Sequence, residues 1–156
     1  MEIRFAEAGD AILFFQILND QPPSEAEWFE RALLDSRVLF AELDENPIGF
    51  ISFEIKDWIG NSVPAVTDIF VNEPFRRQGI SRALLAFLEN HLRGLGYKTI
   101  WGFVSDTETR LKAWLHWLDF FELSSAGEVE NIEMGDLSEI VFKPGTGFFV
   151  FRKDLQ

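Results

Sequence analysis

The chain has 156 residues, 47% of them apolar and 15% aromatic, which suits one domain with a single thick core. It has no cysteine, which excludes disulfides, thiol nucleophiles and cysteine-ligated zinc. A net charge of −12 repels phosphate backbones and argues against a nucleic-acid partner; it serves solubility and would attract a cationic partner.

Glu2 to Phe5 reads as a short strand. Ala8 to Leu18 carries apolar residues at helical spacing, until Asn19-Asp20-Gln21-Pro22-Pro23 breaks the pattern. Ser24 and Glu27 form a capping box for a second helix, with Phe29, Ala32 and Leu33 on its apolar face. Arg37 to Leu43 and Ile48 to Ile55 are strands joined by a turn at Asp44 to Pro47, and Ala65 to Val71 is a third strand.

A loop, Arg76 to Ser81, then opens a helix marked by Ile80, Ala83, Leu84, Phe87 and Leu88, with Gly94 as its stop. Tyr97 to Val104 is a strand. Ser105 and Glu108 form another capping box, and Leu111, Trp114, Leu115 and Leu118 line one helix face. Glu128 to Arg152 reads as two strands around Gly145-Thr146-Gly147. The order is β-α-α-β-β-β-α-β-α-β-β. It predicts one domain over residues 1–156, an α/β (α+β) fold whose mixed sheet carries helices on both faces. No apolar run nears the roughly 20 residues that span a bilayer, and Met1 to Phe5 lacks a signal-peptide layout, so a cytoplasmic chain with no membrane partner is expected.

The chemistry concentrates where the Val66 to Val71 strand feeds the Arg76 loop. The first amides of a helix have no internal partner and carry partial positive charge, so together they attract an anion. Gly79 lets a ligand come close to the backbone. Arg76, Arg77 and Arg82 put three positive charges within seven residues of an acidic chain. No Gly-Lys-Ser/Thr ending follows, and only one glycine of a dinucleotide fingerprint is present, so neither nucleotide motif applies.

The segment Arg76-Arg77-Gln78-Gly79-Ile80-Ser81 resembles the Arg/Gln-x-x-Gly-x-Gly/Ala motif of the GNAT N-acetyltransferases, which likewise follows a strand and heads a helix. The resemblance covers the chain in element order and is tightest from Asp68 to Leu92. It implies a mostly antiparallel sheet with a central strand splay. It implies acetyl-CoA as acyl donor, with the amides of Arg77, Gln78, Gly79, Ile80, Ser81 and Arg82 on the pyrophosphate. The strand end Ile69-Phe70-Val71 would pair with pantetheine. Ser81 stands where the family has Gly or Ala, and its hydroxyl could itself donate to phosphate. Later marks differ: Thr109, Lys112, His116 and Phe120 occupy the family's Asn, Ala, Tyr and Gly positions, and only Phe121 remains.

Acetyl transfer to an amine needs a base, an oxyanion donor and help for the leaving thiolate. Asp68 is the candidate base, with Glu54 or water as alternatives if Thr67 rather than Asp68 faces the substrate. His116 is the candidate acid, because a histidine side chain can give and take a proton and this one stands at the family's tyrosine position. Tyr97, the lone tyrosine, precedes a strand on the wrong side of the motif and reads as packing, and His91 reads as structural.

The six acidic residues from Glu122 to Glu139 suggest a lure for a cationic acceptor, or simply a solvated face. Trp58 and Trp101 are candidates for its walls. No metal is expected, and a homodimer is one open arrangement. The altered second half also suits a coenzyme-binding or structural module without catalysis.

Overall fold

The computed structural model describes residues 1–10, 37–58, 61–105, 107–122 and 148–155. The two early helices lie outside the described residues, apart from a 3-10 turn at Ala8–Asp10. So do the Gly145 loop and the acidic residues Glu128 to Glu139.

Seven strands form one sheet in the order β1-β2-β3-β4-β5-β7-β6. They are β1 (Glu2–Phe5), β2 (Val38–Leu43), β3 (Asn46–Trp58), β4 (Asn61–Val71), β5 (Thr99–Ser105), β6 (Phe121–Glu122) and β7 (Phe148–Asp154). Two α-helices are described, α1 (Ile80–Gly94) and α2 (Thr109–Trp117). Pairing is antiparallel at β1–β2, β2–β3, β5–β7 and β6–β7, and parallel at β4–β5. This is the mixed, mostly antiparallel α/β fold expected.

By contacts the chain divides into two units, Met1–Phe53 with Asp68–Leu88, and Glu54–Thr67 with Glu89–Gln156. In the first, Val38, Leu39, Phe40 and Ala41 of β2 are all buried, so this strand reads as a continuous apolar run rather than an alternation. The turn into β3 is tighter than expected. Asp44 and Glu45 take φ of 51° and 64°, the paired left-handed values of a two-residue hairpin.

Arg4 holds the unit's start. Its guanidinium bonds Asp10 at 2.8 and 3.2 Å and Glu42 at 2.7 and 3.1 Å, while lying over the Phe40 ring. Gly49 of β3 sits beside the end of β4. A Cβ there would lie 2.7 Å from the Phe70 carbonyl oxygen, so only glycine allows this approach.

In the second unit, Trp101, Val104, Leu115, Leu118 and Phe151 are buried together as its core. β3 and β4 run on into this unit beyond their expected ends. Polar residues such as Asp57 and Ser62, which bond each other at 3.2 Å, give no burial signal in the sequence, so the extension was invisible there.

Helix α1 buries Ile80, Leu84, Leu85, Leu88 and Leu92. Each contributes about 2 kcal/mol by leaving water. Phe87, expected on this face, stays 37% exposed at its edge, with its ring against Phe5. The helix ends at Gly94, as expected, and left-handed Gly96 caps it: Gly96 N–H bonds Arg93 O and Tyr97 N–H bonds Leu92 O. Ahead of α2, Ser105 N–H donates to the Glu108 carboxylate at 2.8 Å, which is half of the expected capping box. The Ser105 hydroxyl instead meets Thr107, and the helix starts at Thr109.

Candidate functional site

β4 pairs with β5 at only two positions, Ala65 with Trp101 and Val66 with Gly102. It then continues to Val71. In this last stretch Asn72 N–H donates to Ile48 O at 2.8 Å, and the Ser52 hydroxyl, fully buried on β3, donates to Asp68 O at 3.4 Å. Backbone groups on a strand alternate between its two edges. The even-numbered groups from Asp68 to Asn72 therefore face β3, and those of Ile69 and Val71 face the opposite edge.

At that edge Ile69 N–H donates to Asp68 Oδ1 at 2.8 Å, and Val71 O accepts from Arg76 Nε at 2.8 Å. Ile69 and Val71 bury their side chains. Phe70 stacks on Phe50 with centroids 6.2 Å apart, and the Arg76 guanidinium lies 5.6 Å over its ring. Arg76 thus ties the loop back onto the strand that launches it.

The chain next makes a 3-10 turn, Glu73–Phe75, followed by extended Arg76. Two left-handed residues then redirect it: Arg77 at φ 64° and Gly79 at φ 80°. The Gln78 side chain folds back onto Pro74 O at 3.3 Å. The first helical bond runs from Ala83 N–H to Gly79 O at 3.0 Å, so the amides of Gly79, Ile80 and Ser81 precede the ladder. An ideal Cβ built on Gly79 would meet nothing within 4 Å, so this turn is open to a ligand.

Arg77 and Arg82 are exposed around it. Ser81 is 6% exposed and packs with the buried helix face, so its amide rather than its hydroxyl is suited to an anion. The turn, the helix start and the amide-bearing strand edge fit a diphosphate joined to an amide-bearing arm, which is the make-up of coenzyme A.

The structure groups Asp68, Ile69, Phe70, Val71 and the Arg76–Arg82 loop in the first unit. His116 belongs to the second, at the end of α2. Its Nε2 lies 3.2 Å from Glu122 Oε2, and its ring is edge-on to Phe151 at 5.0 Å. Lys112 Nζ approaches the other Glu122 oxygen at 3.8 Å. Glu54, the alternative base, pairs with Lys56 at 3.2 Å. Trp101 is 2% exposed and belongs to the core, which does not suit it to wall an acceptor; the side chain of Trp58 lies outside the described residues.

Reading the sequence missed Gly49, Ser52 and the role of Glu122. A glycine inside a strand signals close backbone approach, so Gly49 was findable. Nothing local marks the other two. Among the described residues no helix is long and apolar enough to cross a membrane, and no three His, Asp or Glu side chains gather as a metal site.

The sequence profile of the Acetyltransferase (GNAT) family matches residues 10–120, well over half of the chain. No curated protein matches in sequence. Among solved structures, an acetyltransferase of the GNAT family from Bacillus cereus superposes with TM-score 0.66 at 16% identity, over 99% of this chain and 97% of that one. The ribosomal-protein-S18-alanine N-acetyltransferase of Escherichia coli gives 0.68 at 17% identity, over 99% and 94%. A Salmonella typhimurium structure assigned as an acetyltransferase, with its cofactor acetyl-CoA, gives 0.64 at 19% identity, over 100% and 94%. At these identities the likeness is one of fold.

Proposed function

The chain belongs to the acetyltransferase (GNAT) family, and we propose that it moves an acetyl group from acetyl-CoA to a primary amine by direct attack in a ternary complex. The observation that carries this reading is the left-handed turn at Arg77 and Gly79. It brings the first-turn amides of a 15-residue helix to the end of a strand whose outer edge bears an amide and a carbonyl. Coenzyme A would set its pyrophosphate on the amides of Gly79, Ile80 and Ser81, with Arg77 and Arg82 alongside. Its pantetheine arm would run along Ile69 and Val71, as an added strand does.

The residues then divide the chemistry. An amine of lysine type has a pKa of about 10.4 and must lose a proton to attack. Asp68 is the proposed base for that proton, directly or through water. A backbone N–H where β4 parts from β5 is the proposed donor to the oxygen that gains charge as the thioester carbonyl is attacked. His116 is the proposed donor to the departing thiolate, whose conjugate thiol has a pKa of about 8.5.

The net charge of −12 favours a cationic acceptor, such as a polyamine, a lysine side chain or a protein N-terminus. The Escherichia coli neighbour is named for acetylating an alanine of a ribosomal protein, which places protein N-termini in the panel to be tried. A second reading, coenzyme binding without transfer, is favoured by Thr109, Lys112, His116 and Phe120 at the positions where the family keeps other residues.

Thermal unfolding with and without acetyl-CoA tests the site. Ligand at 100 times its Kd stabilises the fold by about 2.7 kcal/mol, and Gly79→Trp should erase that shift. No shift for the native chain would overturn both readings. A shift with no acetylation across a panel of polyamines, lysine peptides and N-terminal peptides would select the second.

A further inference from the structure

Two of the backbone groups at the outer edge of β4 are taken by the chain's own charged side chains. A carboxylate sits on the donor, Ile69 N–H, and a guanidinium nitrogen sits on the acceptor, Val71 O, each at 2.8 Å. Charge-assisted bonds of this kind are stronger than amide–amide bonds. An amide-bearing chain added along this edge brings an acceptor and a donor to the same two places. Side chain and ligand thus compete for one set of partners.

We propose that Asp68 is a built-in competitor of the acyl donor: its carboxylate holds the Ile69 amide that the pantetheine arm needs, and the donor binds by displacing it. The proposal rests on the coenzyme site proposed above. Three observations converge on it. Asp68 is a poor strand former, placed in a strand where a β-branched residue would suit the backbone better. Its carboxylate bonds the very next amide, a local bond that takes the place of a ladder partner. It does so just past Val66, where the parallel pairing with β5 ends.

Arg76 caps the second group, but it also carries charge beside the anion turn, so its removal would mix two effects. Asp68 separates them, because its acceptor oxygen and its charge can be removed independently. Asp68→Asn keeps the oxygen and drops the charge. Asp68→Ala drops both, and Asp68→Val does the same with a residue that strands favour.

The experiment is calorimetric binding of two probes to the full chain and these variants. Coenzyme A carries the pantetheine arm; adenosine 3′,5′-bisphosphate carries phosphates without it. Asp68→Ala and Asp68→Val should bind coenzyme A about three- to tenfold more tightly, the worth of one hydrogen bond released from competition. Asp68→Asn, which keeps the acceptor oxygen and loses the charge assistance, should fall between the native chain and Asp68→Ala, and adenosine 3′,5′-bisphosphate should bind all four alike within about twofold.

Equal tightening by Asp68→Asn, or equal gains for both probes, would show charge repulsion and overturn the proposal. So would unchanged or weaker coenzyme binding by both Asp68→Ala and Asp68→Val. If neither folds, hydrogen exchange at the Ile69 amide decides between Asp68→Asn and the native chain: similar protection supports a shared acceptor bond, and loss of protection in Asp68→Asn overturns it. Failure of the native chain to bind coenzyme A would sink the site itself, a separate result.

Discussion

His116 and Glu122 meet at 3.2 Å, the imidazole of the last helical turn of α2 against a carboxylate on the edge strand β6. The His116 side chain is 49% exposed, so the pair adds little to stability, under about 1 kcal/mol. Its value lies in orientation. With Glu122 at one side and the Phe151 ring at 5.0 Å, the imidazole has a fixed direction.

If His116 donates the proton to the departing thiolate, His116→Ala should lower kcat about a hundredfold and leave coenzyme affinity within about twofold. His116→Tyr, which restores the residue type the family keeps at this position, should recover most of the loss. Steady-state kinetics beside calorimetry separates the two quantities. An unchanged kcat would reduce His116 to a surface contact.

Arg77 holds φ 64° without the freedom of glycine. A side chain in this region costs about 1 to 2 kcal/mol, and such strain persists where the surroundings impose it. Arg77→Gly should relieve it and leave the fold equally stable or up to about 1 kcal/mol more stable, after glycine's own entropy cost. The same change removes a charge beside the anion turn, so coenzyme affinity should fall several-fold. Denaturant unfolding and binding would then move in opposite directions. A loss of stability would show that the Arg77 side chain supports the loop.

Gly49 touches no proposed substrate, yet its missing Cβ lets β4 end where it does. A methyl group there meets Phe70 O at 2.7 Å and the Val71 Cα at 3.3 Å, and a backbone atom cannot yield as a side chain can. Gly49→Ala should push the Phe70–Val71 end outward, at a cost of about 1 to 3 kcal/mol in stability. Arg76, bonded to Val71 O, would follow. KM for acetyl-CoA should rise more than kcat falls, because the binding edge moves. Equal kinetics in a folded Gly49→Ala protein would show that β4 tolerates the shift.

Most of the scaffold was legible in the sequence because its signals are local. The α1 rhythm of Ile80, Leu84 and Leu88 and the motif around Gly79 are patterns within one segment. The strand ends were not legible, since Asp57 and Ser62 extend a hairpin by meeting each other rather than by being apolar. The partners of the candidate catalytic residues were hidden for a related reason. The bond from Ile69 to Asp68 depends on where the β4–β5 pairing stops, and the contact of His116 with Glu122 depends on the turn at Leu118 and left-handed Asp119 that ends α2. Both are set by three-dimensional register, which single residue types do not encode.

Asp10 gives the fold a predictable response to acid. Its carboxylate takes two bonds from the Arg4 guanidinium, and that contact holds its pKa below the usual carboxylate range, against the opposing effect of burial. A group with a depressed folded pKa contributes stability above its unfolded pKa, and loses it as pH falls through the folded one. The contribution of Asp10 is therefore complete at neutral pH and drains away below about pH 4. Arg4→Met should destabilise the fold by about 2 to 4 kcal/mol at pH 7, because it leaves Asp10 and Glu42, 13% and 12% exposed, without their shared cation. Lowering the pH towards 3 should shrink the difference from the native chain, since protonated Asp10 no longer needs the cation. Denaturant midpoints at several pH values measure this directly. A gap that stays constant with pH would show that Arg4 acts through packing on Phe40 rather than through its charge.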